Sequence, residues 1–417
     1  MRLLHTSDWH LGQTLHQHER GHEHERFLDW LLDTLAAERV DALLIAGDVF
    51  DHTNPSAASQ RQLYRFLAQA RARLPGLDIV LTAGNHDSPG RIEAPGPLLS
   101  QFGAHAIGQI GRADAAQELE RLLVPLRDGA GQVKAWCIAM PFLRPADLPP
   151  AATDGDQDMD GYHAGITALY RDAFELARAR REPGQAIVAM GHCHISGGQV
   201  SEESERRLVI GGAQALPVEL FDPRIAYVAL GHLHRAQRLG GDDTRRYCGS
   251  PLPLSFSELD YPHQVLLVEL DGETVSDVRE LRVPRAVELL RVPARPAPLP
   301  EVLARLRALD LPPRPEAEQP YLLVRVELDQ PEPGLRALVE EALADKPVRL
   351  VRIETRSART GTEAAAPEVS IDELASLAPT DLFERLYRHR FGDGPPDELL
   401  RAFTELLHAP TNEGEPA

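Results

Sequence analysis

Lysine is almost missing from this chain. Only Lys134 and Lys346 occur, so arginine supplies nearly all of the 44 basic residues. Genomic base composition accounts for such a bias, though the arginine fork also suits phosphate. Cysteine is sparse: Cys137, Cys193 and Cys248 are an odd number without paired spacing. That excludes a disulfide framework and a thiolate zinc site. No run of eighteen apolar residues is present, so no membrane span is expected. The first residues enter a strand at Leu3-Leu4 with no basic and then apolar leader, and a cytoplasmic protein is the default expectation. No G-x-x-x-x-G-K-[ST] occurs, so nucleotide binding of the P-loop kind is not expected. Positive charge is also short, at 44 basic against 63 acidic residues, a net −19. A stand-alone DNA binder is usually basic. This balance calls for local arginine patches, for metals that offset charge, or for a partner with a basic surface.

What is present is enough for a packed core: 417 residues, 43% hydrophobic, with room for two or three domains. The first part alternates strands and helices. Residues 2–6, 42–46 and 79–82 read as strands. Phe27, Leu28, Leu31, Leu32 and Leu35 keep helical spacing, as do Leu63, Phe66, Leu67 and Ala70. Further strands are predicted at 135–139, 186–190 and 225–230, and a helix at 165–181. This alternation predicts a sheet covered on both faces. Proline-rich punctuation from Pro284 to Pro300 marks a boundary. A small α+β module follows. Residues 360–367 form a second linker, and 371–407 carry two amphipathic stretches broken at 392–396.

Five short motifs sit at the carboxyl ends of predicted strands: Asp8-Trp9-His10, Gly47-Asp48, Gly84-Asn85-His86-Asp87, Gly191-His192 and Gly231-His232-Leu233-His234. Loops at that edge of an α/β fold converge on one cleft. A metal pair roughly 3.5–4 Å apart clamps both oxygens of an in-line phosphoryl displacement. It needs a bridging carboxylate and several imidazoles. Asp8, His10, Asp48, Asn85, His192, His232 and His234 provide that inventory. Carboxylate, amide and imidazole without thiolate favour Mn²⁺, Mg²⁺ or Fe over structural zinc. His86 is free to face substrate, holding the scissile phosphate or protonating a leaving oxygen. Asp87 could fix the His86 tautomer and keep it charged, or cap a helix before Ser88-Pro89. His52 is a candidate neighbour of the cleft. His194 competes in register with His192, which follows its glycine directly. His16, His18, His22 and His24 read as a solvated helix start rather than a lip touching substrate.

The motifs resemble those of the calcineurin-like metallophosphoesterases. Longer stretches resemble one family among them, the SbcD nucleases. These are Leu-His-Thr-Ser-Asp-Trp-His-Leu-Gly at 4–12, Ala-Gly-Asp-Val-Phe-Asp at 46–51 and Ala-Gly-Asn-His-Asp-Ser at 83–88. Two more are Ala-Leu-Gly-His-Leu-His-Arg-Ala-Gln at 229–237 and Tyr-Cys-Gly-Ser-Pro-Leu-Pro-Leu-Ser-Phe at 247–256. The likeness is dense over residues 1–285 and mostly architectural beyond. It implies an α/β layered calcineurin-like sandwich at 1–283, a capping domain that positions DNA at 284–360, and helices at 368–409. Those helices would dock on an SbcC-type ATPase with a coiled coil. It implies two divalent ions, most readily Mn²⁺, one on Asp8, His10, Asp48 and His234, the other on Asp48, Asn85, His192 and His232. Asp48 would bridge them, and His86 would be the catalytic histidine with Asp87 beside it. The substrate implied is DNA, cut as duplex exonuclease and as single-strand or hairpin endonuclease in recombination, replication and repair. A homodimer within a heterotetramer is the implied assembly.

The metal site alone also permits a phosphatase or phosphodiesterase acting on a small phosphoester, and a metal-poor docking module is a third reading. Asp51 stands where a purple acid phosphatase places Tyr, and Asp87 where protein phosphatases carry Glu. The module and apolar tail favour the nuclease, because a small-molecule phosphatase needs neither.

Overall fold

The computed structural model describes residues 1–111, 115–148, 159–200 and 215–357, with scattered positions between 380 and 403. The chain divides into two units, Met1–Val287 and Glu288–Ala417.

In the first unit the apolar runs become β1 (Arg2–Thr6), β2 (Ala42–Ala46), β3 (Asp78–Thr82), β4 (Ala104–Ile107), β5 (Leu123–Arg127) and β6 (Val133–Ala139). They continue as β7 (Ala186–His192), β8 (Tyr227–Gly231), β9 (Gln237–Leu239), β10 (Asp242–Tyr247), β11 (Gln264–Asp271) and β12 (Thr274–Arg282). Helices α1 (Gly21–Ala37), α2 (Ala57–Arg73) and α3 (Met159–Arg180) lie between them. The strands form two six-stranded sheets, ordered β12-β11-β1-β2-β3-β4 and β9-β10-β8-β7-β6-β5. The expected layered α/β sandwich is present. The single sheet covered by helices on both faces is not: each sheet has helices on one face and the other sheet on its second. Strand β2 shows why the run alone reads the same either way. All five of its residues are buried, and alternate side chains enter different cores. Leu44 and Ala46 meet the second sheet, together with Val188, Met190 and Leu230. Leu43 and Ile45 meet Phe27, Leu31, Phe66 and Leu67 of α1 and α2. Helix α3 covers the second sheet with Ile166, Tyr170, Phe174 and Ala177.

One histidine departs from expectation. His24 is fully buried on α1, not part of a solvated start. It precedes Phe27, Leu28 and Leu31 by three, four and seven residues, so it shares their apolar stripe.

The second unit carries β13 (Leu289–Pro298), α4 (Leu299–Arg307), β14 (Tyr321–Leu328), α5 (Leu335–Ala342) and β15 (Arg349–Ser357). The three strands are parallel in the order β13-β14-β15. Val302, Leu306 and Val339 of the helices pack on Leu322, Val324 and Val326. The docking helices expected at 368–409 lie almost wholly outside the described residues. Among the positions that are described, Phe383 stacks on Phe403 with ring centroids 4.2 Å apart.

Between the sheets, His5 accepts the Tyr227 hydroxyl at 3.0 Å through Nδ1 and donates from Nε2 to the Leu230 carbonyl at 3.2 Å. Burial pushes its pKa from 6.5 down to about 3. The unfolded chain therefore takes a proton near pH 6.5 that the folded chain refuses until about 3. The stability linked to neutral His5 is present above pH 6.5 and falls as pH drops towards 3, by at most about 1.4 kcal/mol per pH unit. All three tryptophans, Trp9, Trp30 and Trp136, lie in this unit and report its unfolding. By pH 5 the loss from His5 alone should reach about 2 kcal/mol in fluorescence-detected denaturation. His5→Leu should be correspondingly less acid-sensitive. A variant as acid-sensitive as wild type would sink the assignment.

Candidate metal centre

The carboxyl ends of β1, β2, β3, β7 and β8 point to one place, and sharp turns there aim the side chains. Asp8, His10, Asp48 and His232 all have φ between 47° and 99°, a region L side chains rarely occupy. Such strain collects at functional sites. The turns are locked together: Asp8 N–H donates to the Gly47 carbonyl and His10 N–H to the Asp48 carbonyl, each at 3.0 Å.

Side chains from all five motifs meet. Asp48 Oδ2 lies 3.2 Å from His192 Nε2 and 3.7 Å from His10 Nε2. Asp48 Oδ1 accepts the His86 backbone N–H at 2.8 Å. Asn85 Oδ1 is 3.0 Å from His192 Nε2 and 2.9 Å from His232 Nδ1. The Asp8 carboxylate accepts the His232 backbone N–H and the Ser7 hydroxyl. Possible ligand atoms of Asp8, His10 and His234 lie within 4.8 Å of one another, as do those of Asp8, Asp48 and His192. The His10 and His234 ring centroids are 5.2 Å apart.

Two features test whether a cation fits. His10 Nε2 is buried and has no hydrogen-bond partner. A buried imidazole nitrogen left so costs free energy unless something binds it. His192 donates from Nδ1 to the Ala46 carbonyl at 2.9 Å, while its Nε2 faces two oxygen acceptors. Burial would lower this pKa, but the Asp48 carboxylate outweighs it and lifts it to about 9. In the metal-free chain a proton occupies the place a cation would take. Asp48 is held well below the usual carboxylate range by His192 despite its burial. His232 is pushed down to about 3 by burial, with His192 adding to the effect. The donor set fits a divalent ion on both counts.

His86 and Asp87 part company. His86 donates from Nδ1 to the Asp51 backbone carbonyl at 2.9 Å. Burial lowers its pKa despite nearby Asp48. The expectation that Asp87 orients His86 and keeps it charged, or caps a helix, is not met. Its carboxylate instead accepts the backbone N–H groups of Val49, Phe50 and Gly84 at 2.8–3.1 Å. The following short helix, Pro89–Glu93, has Ser88 at its N-cap. Asp87 thus ties the Asp48 turn to the Asn85 turn, and burial followed by Asp48 raises its pKa to about 6.

Two carboxylates escaped the sequence reading. Asp51 Oδ1 accepts from His10 Nδ1 at 3.0 Å, and exposed His52 pairs with its other oxygen. Glu258, wholly buried, accepts from His234 Nδ1 at 2.8 Å. Asp51 sits inside a motif and could have been found there. Glu258 ends a single 3-10 turn, Phe256–Glu258, too short to give a spacing signal. His194 is only half-buried, and its carbonyl holds Leu216.

The calcineurin-like phosphoesterase family profile matches residues 1–236. A second profile, the Type 5 capsule protein repressor C-terminal domain, matches residues 285–391. The SbcD component of the SbcCD nuclease of Rhodobacter capsulatus is 44% identical over 387 residues, 92% of this chain and 93% of that one. The chain belongs to the SbcD family of calcineurin-like phosphoesterases. The SbcD component of the Escherichia coli K12 nuclease also matches, at 36% identity over 68% of each chain. Its Bacillus subtilis counterpart is 37% identical over 64% of this chain and 66% of its own. Among the described residues of this SbcD-family chain, no helix is long and apolar enough to cross a membrane.

Glycines hold the SbcD-type turns close. A Cβ on Gly84 would lie 2.1 Å from Asp48 Oδ1 and 2.3 Å from Asp48 N. Gly84→Ala should therefore displace Asp48 and weaken Mn²⁺ binding by about tenfold or more, a loss of the size seen when groups that orient metal ligands are removed. Calorimetric titration with Mn²⁺, beside circular dichroism to confirm folding, measures it. A folded variant that binds Mn²⁺ like wild type would refute the claim.

Proposed function

We propose that this chain is a metal-dependent nuclease that hydrolyses phosphodiester bonds in DNA, acting as the nuclease component beside an SbcC-type ATPase. The observation that carries this is the convergence of seven ligand-type residues in one cluster, which includes a buried His10 nitrogen without a hydrogen-bond partner and has His86 at its side. Asp8, His10, Asp48 and His234 would hold one ion, and Asp48, Asn85, His192 and His232 the other. Mn²⁺ suits these oxygen and imidazole donors, with Mg²⁺ or Fe as the other candidates. When bound, such a pair supplies an activated water and neutralises charge on the phosphate.

The chain's own residues do the rest. His86 is held 4.8 Å from His10, centroid to centroid, by the Asp51 carbonyl. That hydrogen bond engages Nδ1–H and leaves Nε2 free to face substrate, where it would hold the scissile phosphate or protonate a leaving oxygen when it carries a proton. The Asp87 carboxylate keeps the two turns in register. Phe142 packs edge-on to His192, 6.3 Å between centroids, and excludes water from that flank. The proposed partner would hydrolyse the ATP. A second copy of the chain and a cytoplasmic setting complete the proposed assembly.

The test is Mn²⁺-dependent cleavage of a labelled DNA hairpin by the purified chain with the ATPase and ATP, beside His86→Gln. Wild type should cut, and the variant should lose about 10²-fold or more in rate with its Mn²⁺ content unchanged. No cleavage by wild type, with turnover of a small phosphoester, would replace the nuclease reading by the phosphatase one.

A further inference from the structure

A cavity of about 410 Å³ lies in the first unit, one loop away from the metal centre. That is the small end of the roughly 300–1,000 Å³ usual for ligand sites, with room for one nucleotide and none for duplex. Its lining is mostly apolar, with Pro251, Pro253, Pro262 and Val283, and Tyr261 adds a half-buried aromatic ring. Arg282 and Arg285 stand exposed at its rim against a single acid, Asp260. The cavity adjoins the His234 end of the cleft. Ser250 N–H donates to the His234 carbonyl at 3.0 Å, and the wall begins at Pro251. Arg235 follows His234 in sequence, and its guanidinium lies 5.6 Å from the centre of the Tyr261 ring. The wall is firmly held. The Pro253 carbonyl accepts from buried Arg20 at 2.7 Å, and Leu254 N–H donates to Glu258 at 2.7 Å. His263 Nδ1 lies 2.9 Å from the Ser250 carbonyl, and its Nε2 lies 3.0 Å from the Glu258 carbonyl. A site fixed in this way loses little freedom when it binds.

Resting on the DNA substrate proposed above, we propose that this cavity takes one unpaired nucleotide of the strand that leaves the metal centre. The base stacks on Tyr261 and rests against the proline rings. Its flanking phosphates meet Arg235, Arg282 and Arg285. The two parts of the lining call for a ligand with two parts. A bare anion would need no apolar wall, and an apolar peptide would need no arginines around it. A nucleotide carries a π-face and a charge together. Every base has such a face, so this recognition ignores sequence. The arginine fork matches phosphate oxygens. A paired base must leave its stack to enter, and that cost is least where the strand is already single. The cavity therefore favours hairpin loops, frayed ends and single strands over intact duplex.

The experiment is photocrosslinking to the full-length chain, kept from cutting by a chelator so that metal ions add no attraction. The probe is a short single-stranded oligodeoxynucleotide carrying one 5-iodouracil. Mass spectrometry of the digest should place the crosslink on Tyr261. In fluorescence anisotropy with a labelled oligothymidylate, Tyr261→Ala should weaken binding by about 5–100-fold, the loss expected for one stacked base. Tyr261→Phe should bind like wild type. An abasic oligomer should bind wild type and Tyr261→Ala alike, which a merely structural role for Tyr261 would not produce. Arg282→Gln, at an exposed position, should weaken binding and lower its salt slope by about one, and it stands in should Tyr261→Ala misfold. Melting midpoints of the variants should match wild type. A crosslink confined to other surfaces, or a loss in Tyr261→Ala as large on the abasic oligomer, would overturn the proposal. So would thymidine monophosphate displacing the oligomer at equal concentration, which would make the cavity a site for free nucleotides. A wild type that cuts hairpin DNA but does not crosslink at Tyr261 would sink the cavity and leave the nuclease reading standing. A wild type that crosslinks there but cuts no DNA would do the reverse.

Discussion

Two buried carboxylates, Asp8 and Asp48, govern everything around them. Among the described residues neither pairs with arginine or lysine; Asp48 has only histidines, and Asp8 only a backbone N–H and a hydroxyl. Buried charge without a partner is costly. The metal-free chain meets part of that cost by lifting His192 to about 9. A proton shared among oxygens is a poor substitute for a divalent ion, which can satisfy both carboxylates and the orphaned His10 nitrogen together. Cation binding and the stability of this corner of the fold are therefore one problem.

Backbone conformation is the second half of the same constraint. Ligands two residues apart on a strand would point the same way but at the wrong depth. Positive φ at Asp8, His10 and Asp48 turns the chain at once after β1 and β2. That conformation tolerates no bulk nearby. A Cβ on Gly231 would strike the Ala46 carbonyl at 2.0 Å, just as one on Gly84 would strike Asp48. The glycines before the ligands are thus requirements of approach. Asp87 offsets the strain by taking three backbone N–H groups that the turns would otherwise leave unpaired.

How much of this could be read from the chain depended on whether the signal was local. The motif residues were legible because each follows an apolar run, and strand ends in α/β folds converge. The strands themselves were legible; their division between two sheets was not. Nothing in the run Ala42–Ala46 says whether its second face meets a helix or another sheet, because both leave all five residues buried. His24 sits among polar neighbours in sequence, yet its i+3, i+4 and i+7 partners are Phe27, Leu28 and Leu31, and helical phase rather than local polarity decides its burial. For Asp87, sequence adjacency to His86 suggests contact, while its partners lie mostly 37 and 38 residues away. Glu258 is one acidic residue among 63, in a 3-10 turn too short to show periodicity, and only the fold brings it under His234.

The net charge of −19 bears on how a chain like this could act on DNA. Affinity for a polyanion comes largely from cations that replace its counterions. An acidic chain has little of that to offer over its surface as a whole. On the proposed function, two divalent ions would add four positive charges beside the carboxylates of Asp8, Asp48, Asp51 and Glu258, offsetting the site's own negative charge where the scissile phosphate must sit. The metal centre would then bind substrate as well as cleave it, and the phosphate would be attracted only where both ions are in place. On that reading the remaining affinity comes from local arginine patches or from the proposed partner's surface, because the chain's own charge is net negative.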